Sequence, residues 1–119
     1  MMRSSGSTVT PGDIVRIDLG VPAGSEAGLE RPAVVITAEL ILRGRPNVIQ
    51  VVPLTRTLRD SATEVTIEPD LHNGLDAVSA AQCQHIRSVA ATRVRTRLGN
   101  VGPVALRQIR DTVALIIDA

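Results

Sequence analysis

Short runs in which apolar and polar residues alternate fill most of this chain, and only its last stretch changes period. After Pro11-Gly12, the run Asp13-Ile14-Val15-Arg16-Ile17-Asp18-Leu19 sets Val15, Ile17 and Leu19 against Arg16 and Asp18. That two-residue period predicts a half-buried strand. Ala33-Val34-Val35-Ile36-Thr37 is a compact β-branched run, predicted as a strand covered on both faces. Residues 38–43 suit a short helical turn and 44–47 a turn. Val48-Ile49-Gln50-Val51-Val52-Pro53-Leu54 predicts another strand, with Pro53 near its end, where a missing N–H does least harm. Thr63, Val65 and Ile67 alternate with Glu64, Thr66 and Glu68, predicting an amphipathic strand. Residues 69–75 form a turn holding His72 and Asn73-Gly74. Residues 76–87 read as one or two short strands. Arg93, Arg95 and Arg97 alternate with Val94, Thr96 and Leu98, a strand with a cationic stripe. The period then becomes helical: Leu106, Ile109, Val113 and Ile116 follow Gly102-Pro103, and proline suits a first helical position.

Many short strands and one terminal helix indicate a mainly β domain with some α, a small barrel or curled sheet capped by a helix. Residues 1–10, rich in Ser, Gly and Thr, are read as a flexible lead. Residues 11–119 are read as a single domain, with no internal repeat and no linker.

Composition sharpens this picture. Phe, Tyr and Trp are all missing, while 44% of the 119 residues are apolar. The core must therefore be built from Val, Ile, Leu and Ala. A bound nucleobase could stack only on arginine planes or histidine. A peptide-binding groove lined by aromatic rings is excluded on the same ground. Net charge is +1, which exerts no global pull on nucleic acid. All 13 basic residues are arginine, so each must be judged singly as a bidentate phosphate ligand. One cysteine, Cys83, allows no intrachain disulfide and no cysteine metal cage, and fits a reducing compartment. It reads as a small buried hydrophobe. No apolar run reaches membrane-spanning length and no signal-peptide core is present, so a cytoplasmic protein without membrane contact is expected.

Four segments resemble, in order, the MazF/PemK toxins, which share the Kid and CcdB-like fold. Gly12-Asp13-Ile14-Val15-Arg16-Ile17-Asp18-Leu19 is similar to their opening strand. Gly24-Ser25-Glu26-Ala27-Gly28-Leu29-Glu30-Arg31-Pro32, followed by Ala33-Val34-Val35-Ile36, is similar to a G-x-E-x-x-x-x-R-P segment entering an apolar strand. Val51-Val52-Pro53-Leu54-Thr55 resembles a strand ending in V-P-[LIV]-T. Gln82-Cys83-Gln84-His85-Ile86-Arg87-Ser88-Val89 resembles a late [DE]-Q-[IV]-[RK]-[ST]-[IV] strand. The match spans residues 11–118. It implies an SH3-like small β-barrel with a C-terminal helix, a homodimer, cleavage of single-stranded RNA in a groove near the dimer interface, and a MazE-like antitoxin whose tail fills that groove. No cofactor or metal is implied.

Metal-free RNA cleavage needs a proton taken from the 2′-hydroxyl, charge stabilised on the phosphorane, and a proton given to the leaving oxygen. The sequence holds no carboxylate and histidine cluster at metal-ligand spacing, which favours that route. By the R-P match, Arg31 is the first candidate catalytic residue, supplying a guanidinium to the phosphate; pairing with Glu26 or Glu30 is the plainer account of it. Thr55 matches the family's catalytic threonine, and turn capping is the plainer account. Glu26 matches the loop acid and is expected to order the loop. Arg56 and Arg59 flank Thr55 and suit backbone contacts to RNA. The late motif departs from the family pattern: its acid is Gln84 here, which cannot take a proton. His85 is the nearby group that titrates near neutrality, as a base, a stacking platform or only a polar strand residue. Arg87 fits the motif's basic position. The Arg93, Arg95, Arg97 stripe reads as a solvated face or an antitoxin surface. The rival functions are a gyrase poison of the same fold, which has no need of Arg31 with Thr55, and a weakly catalytic binding relative.

Overall fold

A computed structural model of the chain describes residues 9–19 and 30–119. Seven strands and two helices follow in order: β1 (Asp13–Asp18), β2 (Glu30–Val35), α1 (Glu39–Leu42), β3 (Val48–Thr55), β4 (Glu64–Ile67), β5 (Ser79–Gln82), β6 (Arg87–Ala90), β7 (Val94–Asn100) and α2 (Gly102–Ile117). All pairings are antiparallel. The ladder runs β4-β5-β3-β2-β1-β7, with β6 also on β3.

The strand-and-helix architecture is the one expected, but the sheet does not close into a barrel. Among the described residues β4 and β7 end the ladder without pairing to each other. Closure is replaced by coverage: α2 packs on β4 and on the 3-10 turn Cys83–His85. Its Ile109 is buried, with Leu106 and Val113 half-buried on the same stripe. Pro103 lies in the first turn of α2, and the Asn100 side-chain oxygen accepts from the Gly102 amide at 2.7 Å, so an otherwise orphaned donor is satisfied.

The sheet buries side chains on both faces. Ile14, Val34, Val52 and Leu54 join α2 in one cluster. Val15, Ile17, Ala33, Val35, Ile49 and Val51 join Leu42 in another. Burying each of the Val, Ile and Leu side chains stabilises by about 1.5–3 kcal/mol. This explains why Ala33-Val34-Val35 is apolar throughout. It also corrects the reading of β1 as half-buried: Ile14 lies inside as well as Val15, because the cluster with Ile109 of α2 covers one face and the cluster with Leu42 the other.

Strand β3 runs past Pro53 to Thr55. The Gln50 carbonyl accepts from Ile36 on the β2 side, so alternation turns the Pro53 nitrogen toward the other edge. There the partner changes from β6, which pairs through Val51, to β5, which starts at Leu54. The missing N–H falls in that gap.

The chain entry is pinned by Asp13, which is fully buried. Its carboxylate accepts from the Thr10 amide and hydroxyl, Arg97 Nε and Asn100 Nδ2 at 2.8–3.0 Å. Arg97 thus serves the fold, and so do its stripe neighbours. Arg93 donates to the Asp18 carbonyl, and Arg95 pairs with the Asp18 carboxylate at 3.0 Å. The stripe is tied to β1 rather than simply solvated.

Candidate active site

Where β2 and β3 part, a cleft of about 370 Å³ opens. Their ladder stops at Ala33 and Pro53, so the Leu54 carbonyl beyond it lacks a strand partner. Arg31 fills that place, donating from Nη2 to the Leu54 oxygen at 3.3 Å. The guanidinium is thereby held at the cleft beside Thr55. No ion pair joins Arg31 to Glu30 among the described residues, and Glu26 lies outside them.

Thr55 ends β3 against Ala80 of β5. Its Oγ1 accepts from the Thr57 amide at 3.1 Å, which orders the turn and leaves the hydroxyl proton free to point at a ligand. Capping and ligand contact are therefore compatible here. Arg56 follows at the rim and pairs with Asp76 at 2.6 Å, both side chains well exposed.

Two further lining residues were not singled out from the sequence. Arg16 rises from β1 opposite Pro32. It is exposed and makes no hydrogen bond or ion pair with the described residues. Asp76 follows the turn 69–75, whose far wall is set by Asn73. That buried amide accepts from the Asp70 and Leu75 amides and donates to the Glu68 carbonyl. Gly74, at φ +70°, lies against the Leu98 backbone, where a β-carbon would overlap the carbonyl. The cleft is thus rimmed by the Arg16, Arg31 and Arg56 guanidiniums, the Thr55 and Ser79 hydroxyls, and the Asp76 carboxylate. The register Arg16↔Pro32 would have revealed Arg16, but no local pattern supplies it.

The remaining candidates do not meet there. Gln84 and His85 stand on the 3-10 turn Cys83–His85, not on a strand, because the chain must bend from β5 to β6. Gln84 donates to the Glu64 carboxylate at 2.7 Å, and Arg59 pairs with the same oxygen at 3.4 Å. His85 and Arg87 are exposed and line no part of the cleft. Arg59, Gln84, His85 and Arg87 are therefore outside the cleft that holds Arg31 and Thr55.

Glu64 is the exception in an otherwise amphipathic β4, where Val65 and Ile67 pack on the core and Thr66 is exposed. The Glu64 side chain is only 3% exposed, and Oε1 has no hydrogen-bond partner. The Gln84 hydrogen bond pulls its carboxyl below the ordinary 4.5, burial opposes this, and Gln82 and Arg59 add to the lowering. Glu64 therefore organises a second polar cluster, remote in chemistry from the cleft. Cys83 is fully buried, and burial raises its thiol to about 11, as a structural thiol requires. Among the described residues no three His, Cys, Asp or Glu side chains gather in a group that could hold a metal ion. No helix is long and apolar enough to cross a membrane.

A family model described as PemK-like, MazF-like toxin of type II toxin–antitoxin system matches residues 10–117. Endoribonuclease MazF9 of Mycobacterium tuberculosis is 33% identical over 114 residues, covering 90% of this chain and 94% of that protein. The M. tuberculosis toxin MazF-mt6 superposes with a TM-score of 0.72 at 22% identity, covering 89% of this chain and 96% of the other. The MazE-MazF structure from Deinococcus radiodurans gives 0.72 at 25% identity, with 90% and 93% covered.

Proposed function

The chain belongs to the PemK-like, MazF-like toxins of type II toxin–antitoxin systems, and we propose that it is a metal-independent, sequence-specific endoribonuclease acting on single-stranded RNA. One observation carries this reading: the cleft brings Arg31 and Thr55, from separate segments, beside Arg16 and Arg56. In the reaction the 2′-oxygen attacks the adjacent phosphorus and the bond to the 5′-oxygen breaks. A cyclic phosphate and a 5′-hydroxyl remain. The nucleophile belongs to the substrate, so the protein's task is positioning and charge stabilisation. Arg31 faces the charge developing on phosphate, held in place by the Leu54 carbonyl. The Thr55 hydroxyl donates to a phosphate oxygen. Arg16 and Arg56 hold the backbone on either side.

Cutting cellular RNA would stop translation and growth, and a MazE-like antitoxin is the partner that restrains it. The relative from D. radiodurans was solved as MazE-MazF, which supports that pairing. A cytoplasmic homodimer completes the reading. Leu40, Ile41 and Val48, all exposed around α1 and the start of β3, are apolar enough to contribute to such an interface.

The test is cleavage of a long unstructured RNA in excess EDTA, with Arg31→Ala alongside and fragment ends mapped. Cutting at a short recurrent sequence, with 5′-hydroxyl ends and loss in the variant, is expected. Well-folded, antitoxin-free protein that cuts no RNA would overturn the proposal and favour a gyrase-binding toxin instead.

A further inference from the structure

The geometry points to Asp76 as the group that takes the 2′-hydroxyl proton, an assignment that rests on the ribonuclease reading above. The cleft offers three guanidiniums and two hydroxyls, and among the described residues Asp76 is its one carboxylate. A guanidinium cannot be deprotonated in a protein and so cannot accept. A neutral hydroxyl is no base near neutral pH. A carboxylate is ordinarily ionised there and has lone pairs to spare.

The placement of Asp76 suits the task. Its Oδ1 is gripped by Arg56 Nη2 at 2.6 Å, while Oδ2 accepts nothing from the described residues. One oxygen is thus anchored and the other is available. The residue follows a turn fixed by buried Asn73 and by Gly74 against Leu98, so its backbone is positioned by packing. The other charged groups that line the cleft are all cations: Arg16 from β1, Arg31 from β2 and Arg56 after β3. Strand β5 contributes Ser79 and β7 contributes Leu98, both uncharged. Gln84 and His85, where the sequence directs the search for a base, lie elsewhere.

The step balances as follows. The 2′-hydroxyl proton passes to Asp76 Oδ2 as the 2′-oxygen bonds to phosphorus. The bond from phosphorus to the 5′-oxygen breaks, and that oxygen takes a proton from water. The proton on Asp76 then returns to the hydroxide formed.

The experiment compares wild type, Asp76→Asn and Asp76→Glu in EDTA under single-turnover conditions at neutral pH. Affinity is measured in parallel on an RNA carrying a 2′-deoxy residue at the cut site. Asp76→Asn is expected to lower the rate about a hundred-fold or more and to bind the deoxy RNA at least as tightly. Asp76→Glu is expected to recover part of the rate. Cleavage by Asp76→Asn within about tenfold of wild type overturns the assignment alone, as does a loss explained wholly by weaker binding. A wild type that cuts nothing overturns the ribonuclease reading with it.

Discussion

The Arg31 guanidinium donates to the Leu54 carbonyl at 3.3 Å, so the side chain we propose for phosphate is tied to the residue before Thr55. The bond exists because β2 and β3 stop pairing at Ala33 and Pro53. The open ladder that makes the cleft thus also supplies the anchor for its central cation.

Arg31→Lys separates charge from shape. An ammonium keeps the charge but loses the planar fork that can hold a carbonyl and a phosphate together. Single-turnover cleavage should fall about 10²–10³-fold, as for loss of one transition-state donor. Thermal unfolding should shift by no more than about 1 kcal/mol, since one partly exposed hydrogen bond is lost. A rate within threefold of wild type would remove Arg31 from the chemistry.

Arg16 has no ion-pair partner among the described residues and faces the cleft from β1. Arg16→Ala should weaken RNA binding and raise KM more than it lowers kcat. It should also reduce the slope of log affinity against log salt by about 1. Titrations at several salt concentrations read this directly. An unchanged slope would mean that Arg16 touches no phosphate.

Glu64 should make stability depend on acid. Its folded pKa lies below the ordinary 4.5, chiefly through Gln84, so the ionised form is the one that folding favours. Its contribution is present above the unfolded pKa and disappears as pH falls through the lower folded value. Denaturation of wild type should show stability falling from about pH 5 downward. Glu64→Gln should cost about 1–3 kcal/mol at pH 7 and flatten that decline. A variant with the wild-type acid profile would show that this carboxylate is not the source.

Gly74→Ala should damage both fold and site. The residue sits at φ +70° against the Leu98 carbonyl, so a β-carbon adds backbone strain and steric overlap. A loss of roughly 1–3 kcal/mol follows, with a loss of cleavage because the same turn carries Asp76. Denaturant midpoints and RNA cleavage measured together check it. Unchanged stability would mean that the turn relaxes freely.

The sequence by itself determined the strands, the terminal helix and the two residues at the heart of the cleft. Alternation marks β7 because one of its faces meets water, whereas β1 and β3 carry longer apolar runs because both faces of the sheet are covered there. Arg31 and Thr55 were legible because each closes a contiguous segment that resembles a toxin family. The tertiary structure alone decided the rest. It left the sheet open, since closure depends on whether two distant edges meet. It turned Gln84 toward Glu64 and away from the cleft, since a 3-10 turn redirects a side chain that a continuous strand would have aimed elsewhere. It brought Arg16 and Asp76 to the same cleft from 60 positions apart, a proximity set by strand register and by a turn packed on β7. Pairing across strands is a long-range choice made by total burial, and no local pattern of residues encodes it.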